Sequence, residues 1–256
     1  IENKAWQKNI AHFAGGSGTS EQVYIKNRLN DFENIIKDTL FGGVVKNFGK
    51  NPFTSQIDFT EFQKVQDYLE QGVSIMTFFG HSSSGYGFSQ NIDDPSNWNN
   101  QGKYPLVIGL GCYSGDVHNP DTNSFSEQLI RPINSGAIAF ISTIKQGFTP
   151  FINDYTEYLY KNIGKYSYGK SIGQQMLMTI DSLDEYSSLY NWDPIFESNY
   201  NGMSLQGDPA IKVNSHSFPE LLLDQQSVWT DPGVVDLSAS TFDLNFKVFN
   251  LGHAFK

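Results

Sequence analysis

The sequence predicts an α/β fold: a mostly parallel sheet with helices on both faces. Three observations carry that expectation. Short apolar runs alternate with stretches of helical spacing along residues 9–183. The runs from 73 to 79 (VSIMTFF), 106 to 110 (LVIGL) and 137 to 144 (AIAFISTI) are apolar almost throughout, as strands covered on both faces are. Glycine and polar residues close each run, giving the turns that crossover connections need.

Each element follows from local chemistry. Residues 9–13 form a first strand that runs into Gly15-Gly16-Ser17-Gly18, a flexible turn. Thr19 or Ser20 caps a helix to about Leu40, with Tyr24, Leu29, Phe32, Ile35 and Ile36 near helical spacing. Phe41-Gly42-Gly43 ends it, and residues 44–48 form a second strand. Asp58 or Thr60 caps a helix to about Glu70, and Gln71-Gly72 closes it. The third, fourth and fifth strands are the runs named above, with a helix expected over 124–130 before the fifth. Helices are expected over 151–162 and 171–183, then a last short strand over 210–213. From Ser217 the pattern changes to period two over 219–223, 234–237 and 242–249, with a turn at Asp231-Pro232-Gly233. The expected division is therefore an α/β domain over 1–214 and the beginning of a β domain over 215–256. The opening and closing residues have the look of cuts made inside a longer protein.

Composition bounds function. Of 256 residues, 39% are hydrophobic and 14% aromatic, enough to build a sizeable core. The formal net charge of -10 argues against nucleic acid as a partner, since phosphate binding needs a basic face. No apolar run approaches the roughly 18 residues a membrane-spanning helix needs. With 1 cysteine, no disulfide can form within the chain. One Cys and scattered His residues also lack metal-ligand spacing.

Two strand ends carry chemistry. The third ends in Phe79-Gly80-His81-Ser82-Ser83-Ser84-Gly85, the fourth in Gly109-Leu110-Gly111-Cys112-Tyr113-Ser114-Gly115-Asp116. Ligands of parallel sheets bind at the carboxyl ends of strands, and these two deliver a His and the lone Cys to the same edge. A thiolate is the attacking species; an imidazole can take its proton and return it to the leaving amine. The Ser82 and Cys112 amides are the natural donors to a developing oxyanion. Taken singly, His81 would be a strand-capping residue and Cys112 a small buried hydrophobe; their joint placement favours a nucleophile and base. Asp116 lies close enough to touch the site or to cap its own loop. His118 is a rival base on a loop, and His12, His216 and His253 are expected to be structural. Tyr86, Phe88, Trp98 and Tyr113 line a cleft or pack the core. The oxygen-rich loops 91–95 and 116–121 suit a structural calcium ion, although the chemistry requires no cofactor.

At these residues the sequence resembles a known family. Strand, Gly-His, strand, Gly-Cys is similar to the signatures shared by caspases, legumains and gingipains. Residues Gly111 to Asp116 resemble the gingipain form, as do Ser135-Gly136-Ala137-Ile138-Ala139-Phe140-Ile141-Ser142-Thr143 and Leu205-Gln206-Gly207-Asp208-Pro209-Ala210. The resemblance implies a caspase-like α/β fold followed by an immunoglobulin-like β-sandwich, and a cysteine endopeptidase acting on protein or peptide substrates. Within that family, Phe78-Phe79-Gly80-His81-Ser82-Ser83 looks closest to sortase-like peptidases of the type IX secretion system. That implies export to a bacterial surface or the medium and other secretion components as partners. Two departures matter. Ser82 stands where the family usually has Gly. The acid that orients the His is expected near the end of the first strand, where this chain has Ala14; Glu21, opening the next helix, is the substitute, unless it serves only the helix dipole. The alternatives are a weak pseudo-peptidase or binding component of the secretion machinery, and a calcium-stabilised adhesion module.

Overall fold

The computed structural model describes residues 4–51, 53, 59–118, 124–189, 193–213, 216–223, 225–231, 233–234 and 241–254. Its centre is a sheet of six strands: β1 (Asn9–Gly15), β2 (Val44–Gly49), β3 (Ile75–Gly80), β4 (Leu106–Leu110), β5 (Ala139–Thr143) and β6 (Met203–Gln206). The order is β2-β1-β3-β4-β5-β6. The first five strands run parallel, and β6 returns antiparallel to β5.

Alternation along each strand sends side chains to two cores. Ile10, Ala14, Ile75, Phe79, Ile108 and Ile141 meet α1 (Thr19–Lys37), α4 (Thr149–Lys161), α5 (Ile172–Leu189) and α6 (Pro194–Asn201). Ala11, Phe13, Met76, Phe78, Val107 and Phe140 meet α2 (Phe59–Gln71) and α3 (Phe125–Ile130). Helices thus cover both faces, as the apolar strand runs predicted. A capping box, with Ser124 and Glu127 bonded reciprocally, starts α3.

Register sets the strand ends level. Gly15 pairs with Gly80, and Phe79 with both Ala14 and Leu110. A Cβ on Gly80 would lie 2.7 Å from the Gly15 backbone, so β1 and β3 converge only because glycine ends both.

The structure corrects three expectations. Residues 210–213 form no strand. The Asp208 carboxylate accepts the Ala210 N–H at 2.8 Å, and the Ile211 carbonyl accepts from Ile172 N–H at 2.8 Å, so this turn caps the start of α5. The sheet's last strand is instead β6, preceded by α6. The α6 N-cap Asp193, whose carboxylate accepts the Ile195 N–H, and Pro194 at the first helical position are its start signal. The stretch 242–249 divides into β9 (Asp243–Phe246) and the start of β10 (Phe249–Asn250). β9 pairs with β8 (Val228–Asp231), and β10 with β7 (Leu221–Leu222). The expected strand over 234–237 and the Pro232 turn fall largely outside the described residues.

The segment that follows β10 is tied to the sheet's far edge. The buried Lys8 ammonium donates to the Phe41 carbonyl and, at 2.5 Å, to the Gly252 carbonyl. The Ala254 N–H donates to the Leu40 carbonyl at 2.8 Å.

A polar trio crosses the α4 face. Tyr160 Oη meets His12 Nε2 at 2.8 Å and Thr77 Oγ1 at 2.7 Å, all three buried. Burial lowers the His12 pKa from 6.5 to about 3. Between those values the unfolded chain binds a proton that the folded chain does not, so stability falls as pH drops through that window. His12→Gln, which cannot charge there, is expected to flatten this acid dependence, read from urea midpoints at about pH 4 and about pH 7.

Candidate active site

Three strand ends build the site. His81 follows β3 directly, and Cys112 lies two residues beyond β4. After His81 the chain makes a tight hairpin, with Ser83 and Gly87 exchanging backbone bonds of 2.9 and 3.1 Å. Phe88 anchors it, stacked on Phe78 with ring centroids 4.0 Å apart. Phe88 and Trp98 are therefore core residues, whereas Tyr86 and Tyr113 are exposed.

The structure brings Glu21 to His81. Glu21 Oε2 lies 3.1 Å from His81 Nε2 and accepts the Ser17 N–H at 2.5 Å. Ala14, at the position the resemblance assigns to an orienting acid, is buried and carries no polar group. Opposite a carboxylate, Nε2 carries the proton, leaving the Nδ1 lone pair to act as base.

Sequence reasoning missed the residue that fixes this arrangement. Gln22 is buried; its Oε1 accepts the Gly16 N–H at 2.7 Å. Its Nε2 donates to the Ala14 carbonyl at 3.0 Å and the Lys50 carbonyl at 2.9 Å. One side chain thus joins the ends of β1 and β2 to the first turn of α1, where Glu21 sits. The signal was a polar residue on the buried stripe Gln22, Ile25, Leu29, Phe32, Ile36.

Cys112 is half-buried, and its Sγ is 3.8 Å from the Gly147 carbonyl oxygen. Among the described residues no hydrogen bond joins Sγ to His81. The two loops do touch: Ser82 Oγ donates to the Cys112 carbonyl at 2.8 Å. Neither the Ser82 nor the Cys112 amide N–H is used in a backbone hydrogen bond among the described residues. The Tyr113 N–H donates to the Lys145 carbonyl at 2.9 Å, and Tyr113 has φ 56°.

Asp116 is occupied locally, accepting the His118 N–H at 3.0 Å. It caps its own loop, with His118 exposed beside it. His216 pairs with Glu220 at 2.8 Å, and His253 packs edge-on against Tyr168. In the loop 91–95, Asp94 caps the turn that follows, accepting from Ser96 N–H at 2.9 Å and Asn97 Nδ2 at 3.1 Å. No group of three or more His, Cys, Asp or Glu among the described residues could hold a metal. Asn119, Pro120 and Asp121 lie outside the described residues. A cavity of about 580 Å³ sits at the opposite edge, against Trp6, Lys8 and Phe249, and contains neither His81 nor Cys112.

A model of peptidase family C25 matches residues 2–214. No curated protein matches the chain. Among solved structures, it is similar to the Arg-specific cysteine proteinase gingipain R (RGPB), with 15% identity and a TM-score of 0.59 over 87% of this chain and 51% of that one. A complex of Porphyromonas gingivalis RgpB pro- and mature domains gives 16% identity and a TM-score of 0.60, covering 87% of this chain and 52% of that one. A structure described only as a protease gives 14% and 0.63, covering 90% and 55%. The chain spans about half the length of these structures. At such identities the likeness shows the fold, the mostly parallel α/β arrangement shared with the gingipain structures.

Gln22→Leu keeps the volume but removes all three bonds, leaving the Gly16 amide and Ala14 carbonyl without that partner. A loss of about 2 kcal/mol or more is expected by chemical denaturation.

Proposed function

The chain belongs to peptidase family C25, and from that premise we propose that Cys112 and His81 cleave peptide bonds through a thioester, with Glu21 holding the imidazole. The observation that carries this reading is the Glu21 carboxylate on His81 Nε2, at the end of the strand next to the one that leads to Cys112. His81 Nδ1 takes the Cys112 proton as a substrate displaces Sγ from the Gly147 carbonyl. The thiolate attacks the scissile carbonyl, and the amides of Ser82 and Cys112 receive the oxyanion. His81 then protonates the leaving amine. Water, or another acceptor, opens the thioester, giving up its proton to His81.

The substrate is a protein or peptide. The Arg preference of the gingipain structure is not carried over. Near the nucleophile, the carboxylates of Glu21 and Asp116 are committed to His81 and to the His118 amide. The wording Phe78 to Ser83 supports a finer reading, a sortase-like peptidase that processes exported cargo of the type IX secretion system at the cell surface. The strand pairs after residue 216 are taken as the opening of the immunoglobulin-like domain. A second reading, a weak pseudo-peptidase that binds rather than cuts, draws on the thiol facing Gly147 instead of His81.

Alkylation of Cys112 by iodoacetamide, followed by intact mass, separates the two. Rapid reaction at about pH 6.5, where an isolated thiol is slow, is expected in the native protein and lost in His81→Ala. Cleavage of unfolded casein is expected to fall roughly a hundredfold or more in His81→Ala, and by a smaller factor in Glu21→Gln. Equally slow alkylation in native and His81→Ala proteins would sink the peptidase reading.

A further inference from the structure

We infer that the Ser82 hydroxyl is a positioning residue for the nucleophile: it clamps the Cys112–Tyr113 peptide and so aims the Cys112 amide at the oxyanion. This rests on the peptidase reading above and adds to it a role for a side chain, distinct from the Ser82 amide.

The peptide between Cys112 and Tyr113 is held at both ends. Its carbonyl oxygen accepts from Ser82 Oγ at 2.8 Å, on the β3 side. Its N–H donates to the Lys145 carbonyl at 2.9 Å, on the β5 side. A peptide unit is planar, so two opposed bonds fix its rotation, and with it ψ of Cys112 and φ of Tyr113. The resulting φ of 56° at Tyr113 is a left-handed conformation that a bulky residue adopts only when its surroundings impose it. Without the bond from Ser82, the peptide is free to turn and relieve Tyr113. With ψ of Cys112 no longer fixed, the Cys112 Cα loses its anchor to the His81 loop and its N–H is no longer held in one direction, whereas Sγ turns about its own χ1 and needs no fixed direction to be alkylated.

The neighbouring strand end is shaped to admit this hydroxyl. A Cβ at Gly111 would lie 2.1 Å from Ser82 Oγ and 2.8 Å from Ser82 Cβ. Gly111 leaves the space that Ser82 fills, and a glycine at 82 could not make the bond. Further along the loop, the Gly115 N–H donates to the Thr143 carbonyl at 3.1 Å. Ser114 Oγ meets Ser142 Oγ at 2.5 Å, and Ser142 Oγ donates to the Gly109 carbonyl at 2.7 Å. The β5 side of the nucleophile loop is thus held several times over, whereas at the nucleophile itself the tie to the His81 loop is the Ser82 hydroxyl; the bond from Ser84 Oγ to the Asp116 carbonyl, at 3.4 Å, lies four residues further on.

Two probes separate positioning from general damage. Iodoacetamide reacts at Sγ by displacement and develops no oxyanion. p-Nitrophenyl acetate is attacked at its carbonyl; an S–C bond forms, the C–O bond to nitrophenolate breaks, and the charge on oxygen must be held meanwhile. In Ser82→Ala, acylation measured by the nitrophenolate burst is expected to fall roughly ten- to a hundredfold. Alkylation should stay within about twofold of native, because His81 and Glu21 remain in place. Ser82→Thr, which keeps the hydroxyl, should restore acylation. Undiminished acylation in Ser82→Ala, or an equal loss to both probes, would overturn the inference. Slow alkylation of the native protein at about pH 6.5 would instead overturn the peptidase reading on which it rests.

Discussion

The level ends of β1, β3 and β4 are the constraint on which everything at the site depends. A parallel sheet makes such levelling natural, because every strand leaves it at the same edge. Levelling alone would leave the three loops several ångströms apart. Glycine at 15, 80 and 111 removes the side chains that would keep them apart, and the gaps are then closed by hydrogen bonds that Gln22 and Ser82 donate and Glu21 accepts. A residue with a Cβ at Gly80 would meet the Gly15 backbone and push β1 away from β3. With that shift Glu21, carried on the helix that follows β1, would move off His81.

Much of this was legible before any coordinates. The strands that deliver His81 and Cys112 are apolar on both faces and end in Gly-His and Gly-Cys, so both pattern and punctuation pointed to one sheet edge. Glu21 could be named because the helix start after Gly18 places it near that edge. What was illegible is instructive. β6 has four residues, too few for periodicity to register, and its antiparallel direction is set by pairing with β5 rather than by its own sequence. Gln22 was overlooked because a polar residue on a buried helical stripe looks like an imperfection until its three partners are seen. The direction of the thiol, toward Gly147, depends on the backbone of a loop after β5 and has no signature at Cys112.

The two ties to the dyad differ in kind. The Glu21–His81 pair is partly exposed, with side-chain accessibilities of 39% and 66%, so solvent screens it and it adds little to stability. Its effect is orientational: a carboxylate bound to the Ser17 amide fixes which imidazole nitrogen holds the proton. The Ser82–Cys112 bond is half-buried, acts on backbone, and sets a peptide plane rather than a charge. In the proposed mechanism the first bears on forming the thiolate and the second on receiving the oxyanion, so alkylation and acylation are expected to separate under substitution.

In the proposed mechanism this division would let a site keep its chemistry while family positions change. An acid at residue 14 would lie on β1 itself, facing the core that Ala14 now fills among Ile10, Phe32 and Phe79. Moving the acid to the first turn of α1 takes it out of that core and lessens its desolvation, but makes its position depend on the Gly15–Gly18 turn. Gln22, one residue beyond Glu21, stabilises that turn from inside. At residue 82 the exchange runs the other way. Replacing glycine by serine introduces a side chain, and Gly111 on the opposite strand end leaves the room it needs. Glu21 with Gln22, and Ser82 with Gly111, are therefore coupled pairs, in which either change alone would disturb the edge that the two together preserve.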